Sequence, residues 1–391
     1  MSTVVISRRG AARIRANHPW IYRSDVLSSD ARAGDVVRVT TERERPLGWA
    51  FWSDASQISL RMFSSSLEAD LDERTVFREH LRQAIEYRTS LAIDGTACRL
   101  VHGEADRLPA LIVDRYADWL VVQTLSQGMD RRLGMIVELL VEIAGPRGVL
   151  ARNDPKVRRL EGLEERVDVV FGDVPDTVEV REGRIEHRVD LRHGQKTGLF
   201  LDQQENHAAA AGYARGRALD AFSYQGGFAL QIASRCDSVL ALDSSAPAVA
   251  GLREHAARNA VGNLEAREAN VFDELRELEI SGERFETIVL DPPAFARNRA
   301  AVERAVAGYK EINLRALKLL EPGGHLVTCS CSYNVGETLF DAILEDAAAD
   351  ARAVVALVEK RKQARDHPVL VGVPETHYLK CLILRKLTSW P

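Results

Sequence analysis

In the second half of the chain the apolar positions form short unbroken runs. Two of them lead into an acid and a thiol. Thr287-Ile288-Val289-Leu290 runs into Asp291-Pro292-Pro293-Ala294-Phe295, and Gly323-Gly324-His325-Leu326-Val327 runs into Thr328-Cys329-Ser330-Cys331-Ser332. Runs of this length and make-up predict buried parallel strands that break off at their carboxyl ends. Residues 218–222, 238–243 and 266–272 predict three more strands, and 378–385 alternates. Residues 246–259 and 309–320 have helical spacing, the second stopped by Pro322-Gly323-Gly324. Strand and helix alternating from Arg188 onward predict a doubly wound α/β domain.

The first half is patterned differently. Residues 33–39 read as a turn and an alternating strand, and 47–52 and 58–63 as further strands. Short strands with tight turns predict a small β-barrel. A polar linker over 64–74 leads to an amphipathic helix over 75–91. Strands at 99–101, 110–114, 119–123 and 149–152, with a helix over 133–143, do not alternate strictly. They predict an α+β middle domain. The expected divisions are 1–68, 69–182 and 183–391.

Composition narrows the class. A chain of 391 residues with 46% hydrophobic and 28% charged residues fits a globular protein of two or three domains. No apolar run is long enough to cross a bilayer, and residues 1–15 lack a signal core, so a cytoplasmic protein with no membrane role is expected. The five Cys form neither a disulfide framework nor a zinc spacing. His102, His187, His193 and His207 show no ligand spacing, so no metal is expected. The net charge of −5 confines any nucleic-acid surface to a patch. Residues 1–62 supply one, with ten Arg against six acids. Arg8, Arg9, Arg13, Arg15 and Arg23 are candidates for phosphate contacts; a merely solvated face is the alternative.

Strand ends carry the candidate chemistry, because ligands in open α/β sheets bind outside the carboxyl ends of the strands. Asp220 lies near one end, before the turn Ser223-Tyr224-Gln225-Gly226-Gly227; Asp243 closes the next strand. An acid there can accept ribose hydroxyls, but no G-x-G-x-x-G is present to cradle a pyrophosphate. Gly226 and Gly227 let a ligand approach the backbone. A ligand with ribose and adenine but no phosphate fits best, which points to S-adenosylmethionine. Asn270 and Val271 would flank the adenine. The acid–proline turn at Asp291, taken alone, resembles the motif with which amino-group methyltransferases hold a base, with Ala294 inserted before the aromatic. The thiol suggests other chemistry. A thiolate added to carbon 6 of a pyrimidine makes carbon 5 nucleophilic, and loss of the carbon-5 proton then expels the Cys. Cys329 and Cys331 share one strand face. Cys331 is nearer the carboxyl end and is read as the nucleophile, with Asp291 holding the base and Cys329 in the core.

Over nearly its whole length the chain resembles the bacterial large-subunit rRNA methyltransferase family that makes 5-methylcytosine in 23S rRNA. The resemblance rests on His18-Pro19-Trp20, Asp106-Arg107-Leu108-Pro109, Gly194-Gln195-Lys196-Thr197-Gly198, Leu201-Asp202-Gln203, Phe222-Ser223-Tyr224-Gln225-Gly226-Gly227-Phe228, Asp291-Pro292-Pro293, Gly308-Tyr309-Lys310, Ser330-Cys331-Ser332 and His367-Pro368. It departs at Gln225, Asn270 and Cys329. It implies an N-terminal PUA-like β-barrel, a central α+β domain and a C-terminal Rossmann-like class I methyltransferase with a mostly parallel seven-stranded sheet. It also implies S-adenosylmethionine as donor and the Cys of Ser-Cys-Ser, Cys331, as nucleophile. The expected partner is RNA, as 23S rRNA or a large-subunit precursor; a homodimer stays open. Lys196, Thr197, Phe200, Asp202 and Gln203 either close over cofactor or RNA or form a structural loop, and Gln203 is placed with the cofactor set. The rival readings are uracil-carbon or amino-group methylation, and a non-catalytic RNA-binding assembly factor.

Overall fold

The computed structural model describes residues 2–296 and 298–390. The chain divides into two compact units. One comprises Met1–Val180, Arg188–Leu201 and Asp366–Thr376; the other comprises Arg181–His187, Asp202–Arg365 and His377–Pro391. Among the described residues, no helix is long and apolar enough to cross a membrane.

The first unit holds two sheets. A six-stranded sheet runs, in spatial order, Trp20–Tyr22, Ile58–Ser64, Pro46–Trp52, Val36–Thr41, Thr3–Ile6 and Val26–Ser29. The first, fifth and sixth of these strands and the helix Arg8–Arg15 go beyond the sequence reading. Ser7 caps that helix by accepting from the Gly10 N–H. A five-stranded sheet follows, in the order Arg166–Gly172, Gly148–Asn153, Trp119–Thr124, Leu111–Tyr116 and Ala97–His102. Helices Glu73–Ser90 and Leu133–Ala144 pack with it. Residues on both sides of position 68 share a core: Phe51 and Phe63 stack at 4.7 Å, and Phe63 on Phe77 at 5.3 Å.

Buried charge pins the outlying segments of this unit. Arg99 grips Asp114 through two hydrogen bonds, and Thr197 Oγ1 donates to the same carboxylate at 2.6 Å. Arg88 holds Asp106 and also donates to the Asp366 carbonyl at 2.9 Å. Ion pairs this deeply buried hold only when fully hydrogen-bonded, as these are.

The second unit is built on a seven-stranded sheet in the order Leu264–Glu268, Ser238–Asp243, Arg217–Ala221, Phe285–Leu290, Leu320–Ser330, Lys380–Ser389 and Ala353–Lys362. The first five strands are mutually parallel and the last two pair antiparallel, the mostly parallel α/β sheet expected. Chain order reverses direction at Arg217–Ala221, which opens a crevice beside that strand's carboxyl end.

Two expected elements change. The run read as a strand over 266–272 stops at Glu268, and Val271–Ile280 is a helix. Asn270 decides this, because its Oδ1 accepts from the Phe272 N–H at 3.0 Å as an N-cap. Asp273 and Glu274 in the first turn favour the helix dipole. The helix read over 309–320 spans Val302–Leu319.

Candidate functional site

After the strand Arg217–Ala221 the backbone takes three left-handed positions in five residues: Phe222 at φ 66°, Tyr224 at 47° and Gly226 at 89°. For Phe and Tyr that conformation is strained and must be held by surroundings. Two anchors hold it here. The Ser223 N–H and Oγ both reach the Leu242 carbonyl, at 2.9 and 3.2 Å. Asp243 accepts from Tyr224 N–H and Ser245 N–H, each at 2.8 Å. A carboxylate has four lone-pair positions, so Asp243 keeps capacity for a diol. Gly226 cannot be replaced without strain, and an added Cβ would meet Leu252.

Asp220 lies beneath this turn, 1% exposed. Its Oδ2 accepts from the Ala229 N–H at 2.9 Å, and its Oδ1 has no partner among the described residues. Burial, helped by the charge of Asp291, pushes its carboxyl up to about 8; the Ala229 N–H and His207 oppose that shift. A buried bare oxygen is costly and so points to a ligand group. His207 packs under the turn, where a Cβ on Gly227 would meet its ring. Burial would depress the His207 imidazole, but Glu182 at 2.7 Å outweighs burial and raises it. Asn270 spends its Oδ1 on the helix cap, and Val271 is 3% exposed within the core.

Opposite the cofactor-like turn stand Asp291 and Cys331. The Asp291 N–H donates to the Ala221 carbonyl at 3.3 Å, which ties the two strand ends together. Gln203 was expected with the cofactor set; its Nε2 donates to Asp291 Oδ1 at 2.9 Å, and its Oε1 accepts from Asn206. Cys331 is half-buried just past the strand end, with its thiol 3.9 Å from the Pro292 carbonyl. Cys329 is sealed in the core opposite Cys381, and burial, then Cys381, pushes its thiol well above the usual range. Ser332 Oγ accepts from the Ala296 N–H at 3.1 Å and bonds the Tyr309 hydroxyl at 3.0 Å.

The sequence reading named Phe222, Phe272 and Phe295 within separate motifs, but not the cluster they form. Phe222, Phe272 and Phe295 form a partly buried aromatic cluster, with ring centres 5.9 to 6.3 Å apart. Two of the three stand one and five residues past strand ends, which was the available signal. His207 and Lys380 carried none. Thr197, Asp202 and Gln203 are nearly sealed. Of the arginines, Arg9 pairs with Asp25 and Arg13 lies 4.6 Å over the Tyr22 ring. Arg23 bonds two carbonyls, while Arg8 and Arg15 are exposed. A separate groove at the amino ends of the strands, lined by Ser238, Asn263, Glu265 and Arg267, contains none of the expected site residues.

This arrangement has counterparts among known proteins. Residues 4–65 match the PUA-like domain family, and residues 159–385 match the S-adenosylmethionine-dependent methyltransferase family. "Ribosomal RNA large subunit methyltransferase I" of Tolumonas auensis is 37% identical over 99% of this chain and 100% of its own. The protein of the same name from Aeromonas hydrophila is 38% identical over 94% and 95%. Among solved structures, a SAM-dependent methyltransferase from Streptococcus mutans superposes with a TM-score of 0.83 at 18% identity, covering 99% of this chain and 100% of that one. A methyltransferase complexed with SAH gives 0.85 at 19%, with the same coverage. At such identities the likeness is one of fold.

Proposed function

Because this chain belongs to the ribosomal RNA large subunit methyltransferase I family of S-adenosylmethionine-dependent methyltransferases, we propose that it methylates carbon 5 of a cytosine in 23S rRNA. The observation that carries this reading is the contrast between a thiol inside a strand and one just past its end. Cys329 is sealed, whereas Cys331 emerges half-buried at the strand end beside Asp291-Pro292.

When bound, S-adenosylmethionine supplies an electrophilic methyl group on a sulfonium. Asp243 would hold the ribose hydroxyls, Gly226 would let the ligand approach the backbone, and Asp220 would offer it the bare Oδ1. Ser223, Asn270 and Val271 shape the rest of that wall. On the substrate side the Cys331 thiolate adds to carbon 6 of the base, which makes carbon 5 nucleophilic. Asp291, oriented by Gln203, hydrogen-bonds the ring. Loss of the carbon-5 proton after methyl transfer restores the double bond and expels the Cys331 thiolate. Arg8 and Arg15, exposed on the helix Arg8–Arg15, are available to RNA phosphates.

The test is covalent. RNA carrying 5-fluorocytosine lacks the proton whose loss frees the enzyme, so the wild-type chain should stay attached to it and Cys331→Ala should not. Mass spectrometry of rRNA from cells carrying Cys331→Ala should show 5-methylcytosine missing at the target. Normal methylation by that variant would overturn the thiol mechanism. Amino-group methylation would give no trapped adduct, and a non-catalytic assembly role would show no S-adenosylmethionine binding by calorimetry.

A further inference from the structure

Next to Cys331 lies a buried cation that the mechanism above does not use. Lys380 opens the strand Lys380–Ser389, where it faces Ser330 across the antiparallel pair. It is 3% exposed, and its Nζ donates to the carbonyls of Ser332 at 2.8 Å and Tyr378 at 3.0 Å. Buried lysines are rare unless paired. Among the described residues no carboxylate bonds to this one. We propose that Lys380 is a positioning residue for Cys331, fixing the Ser330-Cys331-Ser332 turn through the Ser332 carbonyl and supplying the positive charge against which the thiolate forms.

This inference rests on the reading of Cys331 as nucleophile. The turn has little freedom: Lys380 holds its backbone from one side, and Tyr309 and the Ala296 N–H hold the Ser332 hydroxyl from the other. Among the described residues, the titratable groups around the pair include Glu337 at the start of the helix Glu337–Asp350 with its partners Lys360 and His377, Tyr309 from the helix Val302–Leu319, Tyr378, Asp291 beside Pro292, and Cys329 in the core. Burial pulls the Lys380 ammonium down to about 8, and Cys331 and Glu337 pull it back up. It therefore still carries its proton at neutral pH, where a neighbouring thiol must lose one to solvent to react. A hydrogen-bonding but uncharged side chain would keep the turn and lose the field.

The experiment follows iodoacetamide alkylation of the full chain against pH, resolved by peptide mass spectrometry. Cys98 and Cys236 serve as internal references. Lys380→Gln should move the Cys331 midpoint upward by about one pH unit, roughly tenfold slower alkylation at neutral pH. Lys380→Arg should keep it near wild type. Equal Cys331 midpoints in folded wild type and Lys380→Gln overturn the proposal. Cys331→Ser gives a reciprocal check that leaves Lys380 in place. By NMR the Lys380 Nζ titration should fall in that variant, and an unmoved titration counts against the proposal. Neither readout needs turnover, so an active Cys331→Ala enzyme would sink the covalent reading while leaving the Lys380 result to stand or fall alone.

Discussion

Asp220 and Glu182 set opposite pH signatures within one buried cluster. The Asp220 carboxyl is raised, first by burial and then by Asp291. The folded state therefore keeps a proton that the unfolded chain releases above its ordinary value of 3.8, and stability falls as pH climbs from there toward about 8. Asp220→Asn should remove that loss. Urea unfolding should show it at least as stable as wild type at pH 8.5, by about 1 kcal/mol or more, while S-adenosylmethionine binding weakens. A parallel pH trend in both proteins would refute this. In the His207–Glu182 pair the histidine shares the sign of Asp220 and the carboxylate opposes it. The raised imidazole contributes fully below its ordinary 6.5 and loses its contribution as pH rises past its folded value. The lowered carboxylate contributes above its ordinary 4.5 and loses that as pH falls through its folded value. Glu182→Gln should therefore cost most between those two ordinary values. NMR of the His207 ring should show its titration moved to lower pH, as burial alone dictates.

At the level of elements, the turn after Arg217–Ala221 concentrates strain in one short segment. Gly226→Ala places a Cβ on a left-handed residue and against Leu252. It should cost about 1 kcal/mol or more of stability and weaken S-adenosylmethionine binding roughly tenfold, about 1.4 kcal/mol. Calorimetry on the variant checks both. This turn was legible in the sequence because an apolar run stops abruptly at it. The strand Ser238–Asp243 was legible to the residue for the same reason. Elsewhere the signal was absent for physical causes. The edge strand Arg166–Gly172 is exposed along almost its whole length, so it shows no buried alternation. The helix Gln204–Tyr213 buries Gln204, Asn206 and His207, so its inner face is polar and hydrophobic periodicity does not reveal it. Asn270 looked like the end of a strand because its capping role depends on the backbone that follows. Asp220, Asp243, Asp291 and Cys331 could be read one strand end at a time. His207 and Lys380 come to this region from distant parts of the chain, which no local pattern records, and the bond from Gln203 to Asp291 is likewise a long-range one.

At the scale of the whole molecule, the chain passes between its two units after Val180, His187, Leu201, Arg365 and Thr376. No single cut separates them. The boundary expected at 182/183 falls in the turn between the strands Thr177–Glu182 and Ile185–Asp190. A 183–391 fragment would lose Glu182 from His207, and it would strip Asp366 of Arg88 and Arg99. Such a fragment should be degraded quickly by trypsin and show no sharp melting transition. A cooperative melt with full-length affinity for S-adenosylhomocysteine would refute this.

The same threading governs when the protein can fold during its own synthesis. Domains usually close in order as they leave the ribosome. Here the first unit waits for Thr376, and the seven-stranded sheet keeps a gap between Leu320–Ser330 and Ala353–Lys362 until Lys380–Ser389 emerges. Nearly the entire polypeptide must be made before either half is complete. Through most of translation its apolar strands are left for chaperones to shield.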